Sequence, residues 1–276
     1  DTSKVTNMSQ MFDGCRGLTK LDVSKFDTSS VTSMIQMFSV CTGLTSLDLN
    51  SFDTSQVTDM TGMFYICDGL TSLDLNSFDT SQVTAMGQMF SGCSGLTSLD
   101  LNSFDTSQVT EMYYMFGKCS SLMTLDLSAF NTSKVRDMKQ MFSNCSLTSL
   151  DLNSFDTSQV NFMEKMFYNC TKLETIYVTE YNKGTRKGWA TSAVTSSSNM
   201  FYNCTKLVGG NGTTYNSSYQ DKTYARIDKS GAPGYLTEYK EPNRMLQRTK
   251  YSGVYLNGTV DATKIETINF KKGTKT

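Results

Sequence analysis

Two sets of residues in this sequence have the types and spacing to do chemistry: eight cysteines and two recurring aspartates. The cysteines are Cys15, Cys41, Cys67, Cys93, Cys119, Cys145, Cys170 and Cys204, spaced 26, 26, 26, 26, 26, 25 and 34 residues apart. Thiols in such a series could pair, hold zinc or sit buried. Zinc needs ligands that converge on one point, and a ladder does not converge. Equivalent cysteines in stacked units come near disulfide range in Cα separation, but their Cβ vectors run parallel instead of facing. Each cysteine follows Met-Phe-x-x, so the register predicts a column of buried free thiols acting as small hydrophobes. The sequence contains no histidine, which excludes His-dependent triads and imidazole acid–base chemistry.

The aspartates form two series. Asp22, Asp48, Asp74, Asp100, Asp126 and Asp151 take one position of the repeat. Asp27, Asp53, Asp79, Asp105 and Asp156, with Asn131 among them, take another. Unit charges about 4.8 Å apart repel by about 0.9 kcal/mol even in water. Between Asp27 and Gly117 there are ten acidic residues and no lysine or arginine. The repulsion must be relieved by hydrogen bonds from neighbouring Ser and Thr, by raised pKa values, or by cations. Two readings follow: structural ladders of Asx turns, or weakly bound calcium, with Asp48, Asp74 and Asp100 as candidate ligands. Carboxylate pairs could also cleave glycosides. An active site breaks local symmetry, however, and these carboxylates follow the repeat, so the chain reads as a non-enzyme. Two threonine series, Thr28 to Thr157 and Thr32 to Thr110, read as ordinary ladders on parallel strands or as a flat array able to bind ice.

The elements that must position these residues come from the repeat itself. LTSLDLNSFDTSQVT is identical at 44–58, 70–84 and 96–110. A period this strict implies a solenoid whose coils bury their apolar side only by stacking. Within one unit Leu44, Leu47 and Leu49 follow the L-x-x-L-x-L spacing of a leucine-rich-repeat strand, with Asp48 pointing out. Val57, Met60, Met63, Phe64 and Cys67 then fall at helical spacing, which predicts a short helix over 59–65. Gly69, and likewise Gly17, Gly43 and Gly95, suits a left-handed residue after the helix end. The fold class is therefore an α/β solenoid, a leucine-rich-repeat-like right-handed coil with one parallel strand and one short helix per 25–26 residues. An all-β parallel solenoid is the alternative. Residues 1–204 make about eight coils, the first partial. Trp189 takes the place of Phe155 after an insertion at 179–186. Residues 205–239 read as an irregular C-terminal cap. Residues 240–276 read as a β-rich tail or the start of a following module, with strands at Tyr251–Leu256 and Ile265–Phe270.

The motif L-x-x-L-D-L-x-x-F-D-T-S-x-V-T-x-M-x-x-M-F-x-x-C resembles the 26-residue bacterial surface-protein repeat, a relative of BspA-like leucine-rich repeats. The resemblance covers residues 1–178 closely and continues through MFYNCTKLVGGNGTTY and YARID at 200–228. It implies an extracellular protein of the bacterial cell surface, used in adhesion or in binding a host or bacterial surface protein or glycan. It supplies no catalytic residues. A passive structural spacer, stabilised by cations, is the alternative function. The start inside a repeat implies a fragment, with further repeats or modules of the same chain as possible neighbours.

Charge separates along the chain. Residues 1–178 carry 10 basic and 19 acidic side chains, and residues 179–276 carry 15 and 7. An acidic repeat block argues against nucleic acid, which needs a basic stripe. No apolar run reaches the roughly 18 residues of a membrane span. A ligand-reading repeat must vary from coil to coil at its contact positions. Here the strand positions are uniform and the variation lies around the Met-Phe segment, where Tyr65, Ile66, Tyr113, Tyr114, Phe162 and Tyr168 are large and apolar. These six are the candidate ligand-binding residues.

Overall fold

From Met60 to Cys67 the backbone N–H groups alternate between two destinations, except that of Thr61, which donates to Asp59 Oδ1 at 2.8 Å. Those of Met60, Gly62, Phe64 and Ile66 donate to the carbonyls of Ala85, Gly87, Met89 and Ser91 in the next coil. Those of Met63, Tyr65 and Cys67 close turns on Met60, Gly62 and Phe64, three residues back. Gly62 and Ile66 have φ of 62° and 54°, the left-handed conformation required at the third residue of a type II turn. The computed structural model describes residues 1–185 and 187–240, and these turns recur in it coil after coil. The left-handed pairs Gln36/Val40, Gln88/Gly92, Tyr114/Lys118 and Gln140/Asn144 mark them.

The short helix expected over 59–65 is therefore replaced by turns, and no helix occurs among the described residues. The apolar side chains of Val57, Met60, Met63, Phe64 and Cys67 all still point into the core. Their spacing fits a helix and this train of turns equally well. The neighbouring coil decides: a helix keeps its N–H groups on its own axis, whereas here every second one ties one coil to the next. The helix-free alternative is the nearer of the two architectures.

Parallel bridges link the same position of successive coils, Asn7 to Ser33, Ser33 to Asp59, Asp59 to Ala85, Ala85 to Glu111, Glu111 to Asp137, Asp137 to Phe162 and Phe162 to Ser196. Regular strands at the leucine position form only late, as β1 (Ser149–Leu152) and β2 (Thr175–Val178), paired in parallel with Leu150 opposite Ile176. The turn that follows is common to all these coils: Asp48 takes the N–H of Asn50 at 3.0 Å and Phe52 N–H turns back to Leu49, as Asp151 takes that of Asn153 at 3.0 Å and Phe155 N–H turns back to Leu152 after β1.

Inside the coils, identical residues stack. Phe12, Phe38, Phe64, Phe90, Phe116, Phe142, Phe167 and Phe201 form a column with ring centroids 5.5–5.9 Å apart and planes within 12° of parallel. Such offset stacks add to the area buried. Both methionine columns lie on the same apolar stripe; from Met34 to Met166 all of them are fully buried. The threonines of the Asp-Thr-Ser segments are buried too, which removes them from any flat surface array. Thr28 Oγ1 donates to the Asp53 carbonyl at 2.9 Å and accepts the Asp53 N–H at 2.8 Å. Thr54 and Thr80 donate to Asp79 and Asp105 in the same way.

At Gly43, Gly69 and Gly95, each two residues after a cysteine, the glycine serves close approach, not a left-handed backbone. Gly43, Gly69 and Gly95 do not have positive φ. A Cβ on Gly43 would lie 2.6 Å from the carbonyl oxygens of Arg16 and Leu18 in the preceding coil. Gly17, with no described coil before it, has nothing within 4 Å.

At the other end, residues 205–238 cover the stack and belong with it to one compact unit, Asp1–Glu238. The Tyr235 ring meets Phe201 edge-on at 5.1 Å and 76°, ending the column. Strand β3 (Thr237–Glu238) pairs in parallel with β2. Trp189 is buried and donates its indole N–H to the Ala225 carbonyl at 2.8 Å. Asp228 gathers the N–H groups of Asn211, Thr213 and Gly234 and the Thr213 hydroxyl. Burial pushes its pKa up, but these four donors together hold it below the ordinary value. The strands expected at Tyr251–Leu256 and Ile265–Phe270 lie outside the described residues.

Candidate functional site

From Cys41 onward the cysteine ladder is buried in the core. All eight cysteines are free; seven are buried, and Cys15, in the first coil, is half-buried. From Cys41 onward each Sγ donates to the carbonyl of the Phe one coil back, as Cys67 does to Phe38 at 3.0 Å. Burial pushes the Cys41 thiol up to about 11 and those of Cys67 and Cys170 up to about 12, with a neighbouring thiol adding to it at Cys41 and Cys67. Cys93, Cys119, Cys145 and Cys204 are raised well above the ordinary range for the same reason. Such groups hold no thiolate at neutral pH, and the thiolate is the reactive form.

The aspartates are occupied locally. Asp48, Asp74 and Asp100 each accept the N–H of the asparagine two residues on, at 3.0–3.1 Å. Asp27, Asp53, Asp79, Asp105 and Asp156 do the same with the serine two residues on. In Asp27, Asp53 and Asp79 the serine hydroxyl and then its N–H hold the carboxyl below the ordinary value. The carboxylates are thus stabilised by Asx turns. Among the described residues no three Asp, Glu or Cys side chains converge as a metal-holding group. The calcium candidates Asp48, Asp74 and Asp100 lie one per coil.

The six residues of the variable segment all fall on the turn face. Phe162 is exposed; Tyr65, Ile66, Tyr113, Tyr114 and Tyr168 are half-buried. For Tyr113, Ile66 and Tyr114 the partial burial has a specific cause: nearby glycines leave room for them. The Tyr113 ring lies over Gly87 of the preceding coil, closely enough that a Cβ there would overlap it. Ile66 lies against Gly92 of the following coil, whose Cβ would meet Ile66 Cγ1 at 2.9 Å. Tyr114 leans on Gly117 of its own coil, where a Cβ would meet its Cδ1 at 2.6 Å. Burial raises the pKa of both tyrosines; Glu111, Asp59 and Asp137 add to it at Tyr113, and Tyr65 adds to it at Tyr114.

Tyr113 and Tyr114 line one groove of about 470 Å³ with Gln88, Asp137, Lys139 and Gln140. Asp137 Oδ1 accepts the Lys139 N–H at 2.9 Å, and its Oδ2 pairs with Lys139 Nζ at 3.3 Å. That ammonium also stands 4.6 Å over the Phe162 ring. Tyr168 lies apart from this groove, stacked on Tyr202 at 4.8 Å with Lys165 Nζ above its ring. Sequence reasoning missed the polar half of the groove. The signal was present, because Gln88 and Gln140 occupy the Tyr114 column and Lys139 the Tyr113 column. It also missed Tyr202, which the repeated MFYNC at 166–170 and 200–204 places over Tyr168.

The chain matches the family model described as a Mycoplasma protein of unknown function, DUF285, over residues 1–97, 67–181 and 177–229. It belongs to the DUF285 family. The three overlapping DUF285 matches take in all eight cysteines and end just past Asp228, so the repeat and the first part of the cap fall within the family together. This agrees with the resemblance to 26-residue bacterial repeats. No curated protein matches. Among solved structures, the DUF285 chain is similar to a leucine-rich repeat protein from Bacteroides ovatus, with 20% identity and a TM-score of 0.30 over 67% of this chain and 58% of that one. It thus spans little more than half the length of that protein. A leucine rich cell surface protein from Faecalibacterium prausnitzii gives 17% identity and a TM-score of 0.23 over 72% and 74% of the two chains. The functional domain of InlJ from Listeria monocytogenes, which includes a cysteine ladder, gives 18% and 0.21 over 70% and 53%. No helix among the described residues is long and apolar enough to cross a membrane.

Proposed function

We propose that this chain is a non-enzymatic repeat module of an extracellular bacterial surface protein, and that it contacts a partner surface through its turn face. The observation that carries the reading is the seating of Tyr113, Ile66 and Tyr114 against glycines. Drift on a solvent-washed face would leave large apolar side chains without matched gaps. For Tyr113 and Ile66 the gap and the side chain come from different coils, so Gly87 and Tyr113 make sense only together. Rings held part-exposed in fixed positions are the usual anchors of an interface.

The uniform columns support stacking alone. Asp48, Asp74 and Asp100 close Asx turns, and Thr28 and Thr54 tie coils together. The thiols fit an oxidising exterior, since buried, fully protonated sulfur neither pairs nor oxidises readily. A passive spacer would need these columns and nothing else.

Binding of the purified chain to intact bacterial and host cells separates the two readings. Replacing Tyr113 and Tyr114 with Ser should weaken binding by at least about 2 kcal/mol with the melting temperature retained. Replacing Asp74 and Asp100 with Asn should leave binding nearly unchanged. The opposite pattern would move the contact to the aspartate side, and no binding by the unaltered chain would favour the spacer.

A further inference from the structure

We infer that the groove between Tyr113, Tyr114, Gln88 and Gln140 binds an uncharged pyranose sugar of a surface glycan. This rests on the reading that the turn face makes the contacts, and it names the chemistry of the ligand.

Size comes first. About 470 Å³ lies within the ~300–1,000 Å³ of small-molecule sites. A terminal sugar presented from a larger surface is a group of this size.

The lining matches a sugar's two kinds of surface. A pyranose ring offers C–H groups on its face and hydroxyls around its edge. Tyr113 and Tyr114 supply aromatic surface for the C–H face. Gln88 brings one carbonyl acceptor and an NH₂ with two donors, and Gln140, whose side chain also bonds the Tyr114 hydroxyl, adds what that bond leaves over; together they give the mixed set that hydroxyls need. The rings are already held in place over Gly87 and against Gly117, so little side-chain freedom is lost on binding.

Charge selects the class of sugar. Asp137 and Lys139 neutralise each other at 3.3 Å within the groove, and the Lys139 ammonium is further occupied by Phe162. Among the described residues, the one cation lining the groove is Lys139, already paired with Asp137. The surrounding repeat block is acidic, with 19 acidic against 10 basic residues through position 178. Sialylated and sulfated sugars are repelled, and neutral hexoses and N-acetylhexosamines are admitted.

The groove is also where the repeat breaks its own symmetry. The columns read Thr61-Gly62, Gly87-Gln88, Tyr113-Tyr114, Lys139-Gln140 and Glu164-Lys165. Only this run sets two tyrosines between two glutamines.

The test uses the full chain on immobilised oligosaccharides ending in neutral hexose or N-acetylhexosamine, beside sialylated and sulfated counterparts, and on intact cells before and after periodate or protease treatment. The unaltered chain should retain neutral glycans in preference to charged ones. Tyr113→Ala and Gln140→Ala should each weaken that retention by about tenfold or more. Both keep the buried columns intact, and their melting temperatures report folding directly. Periodate, which opens sugar rings, should abolish cell binding. Failure to retain any neutral glycan overturns the inference. So does cell binding that survives periodate and falls after protease; if it still depends on Tyr113, the turn face stands and its ligand is protein. Cell binding indifferent to Tyr113→Ala defeats the turn-face reading itself.

Discussion

The Thr106 hydroxyl donates to the carbonyl of Asn131 at 3.0 Å and accepts the same residue's N–H at 2.8 Å. One buried side chain thus satisfies both backbone groups of a residue one coil away. Thr106→Val keeps the shape and removes the hydroxyl. It should cost about 1–3 kcal/mol, because a donor and an acceptor lose their partner in a dry place. Chemical denaturation would show this as a lower midpoint at an unchanged slope. Equal stability of the two proteins would mean that the hydroxyl does not join the coils.

The glycines that follow Cys15 and Cys67 separate a packing role from a backbone role. Gly69→Ala should be strongly destabilising, because its Cβ would press on the carbonyls of Thr42 and Leu44. Gly17→Ala, with nothing within 4 Å, should leave the melting temperature within about a degree or raise it slightly. If the two substitutions behave alike, crowding by the preceding coil is not the reason for this glycine.

Thiol titration should find Cys15 alone reactive in the native protein and all eight cysteines after denaturation without reductant. Seven thiols are buried and raised in pKa, and Cys15 is half-exposed. Fewer than eight in the denatured protein would reveal disulfides and contradict the ladder of free thiols.

Acid should destabilise the repeat block. Asp27, Asp53 and Asp79 have lowered pKa values in the fold, chiefly through the serine hydroxyls and N–H groups of their Asx turns. A carboxyl with a lowered folded pKa contributes stability that is present above its unfolded pKa of about 3.9 and lost as pH falls through the folded value. Melting temperature should therefore hold from neutrality to about pH 4 and fall below it. A rise on mild acidification would mean that repulsion along the columns outweighs the turns.

The buried columns were legible in the sequence because burial writes itself into a strict period. Cys67, Met60, Met63 and Phe64 could be placed on one apolar stripe from spacing alone. The turn at 59–67 was not legible, because inward-facing side chains at this spacing suit a helix as well. The difference lies in the N–H of Gly62 reaching Gly87 in the next coil, and backbone destinations leave little trace in side-chain type. The left-handed residues gave a faint sign: Gly62 and Gly92 at positions otherwise filled by Gln36, Gln88, Val40 and Ile66. At the candidate site the sequence marked the tyrosines by their departure from the repeat. The 26-residue register places Gly87 and Gln140 in the coils on either side, but it does not show the fit of the Tyr113 ring over Gly87, which depends on side-chain conformation.

Hydroxyl-radical footprinting of the chain bound to intact cells tests the central claim most directly, because each face carries its own reporters. Tyr113, Tyr114 and Phe162 report on the turn face. Met123 and Tyr177, 44% and 37% exposed, report on the leucine-strand side. The account predicts that binding protects Tyr113 and Tyr114 from oxidation and leaves Met123 and Tyr177 as reactive as in the free protein. Protection of Met123 and Tyr177 with unchanged tyrosines on the turn face would contradict it.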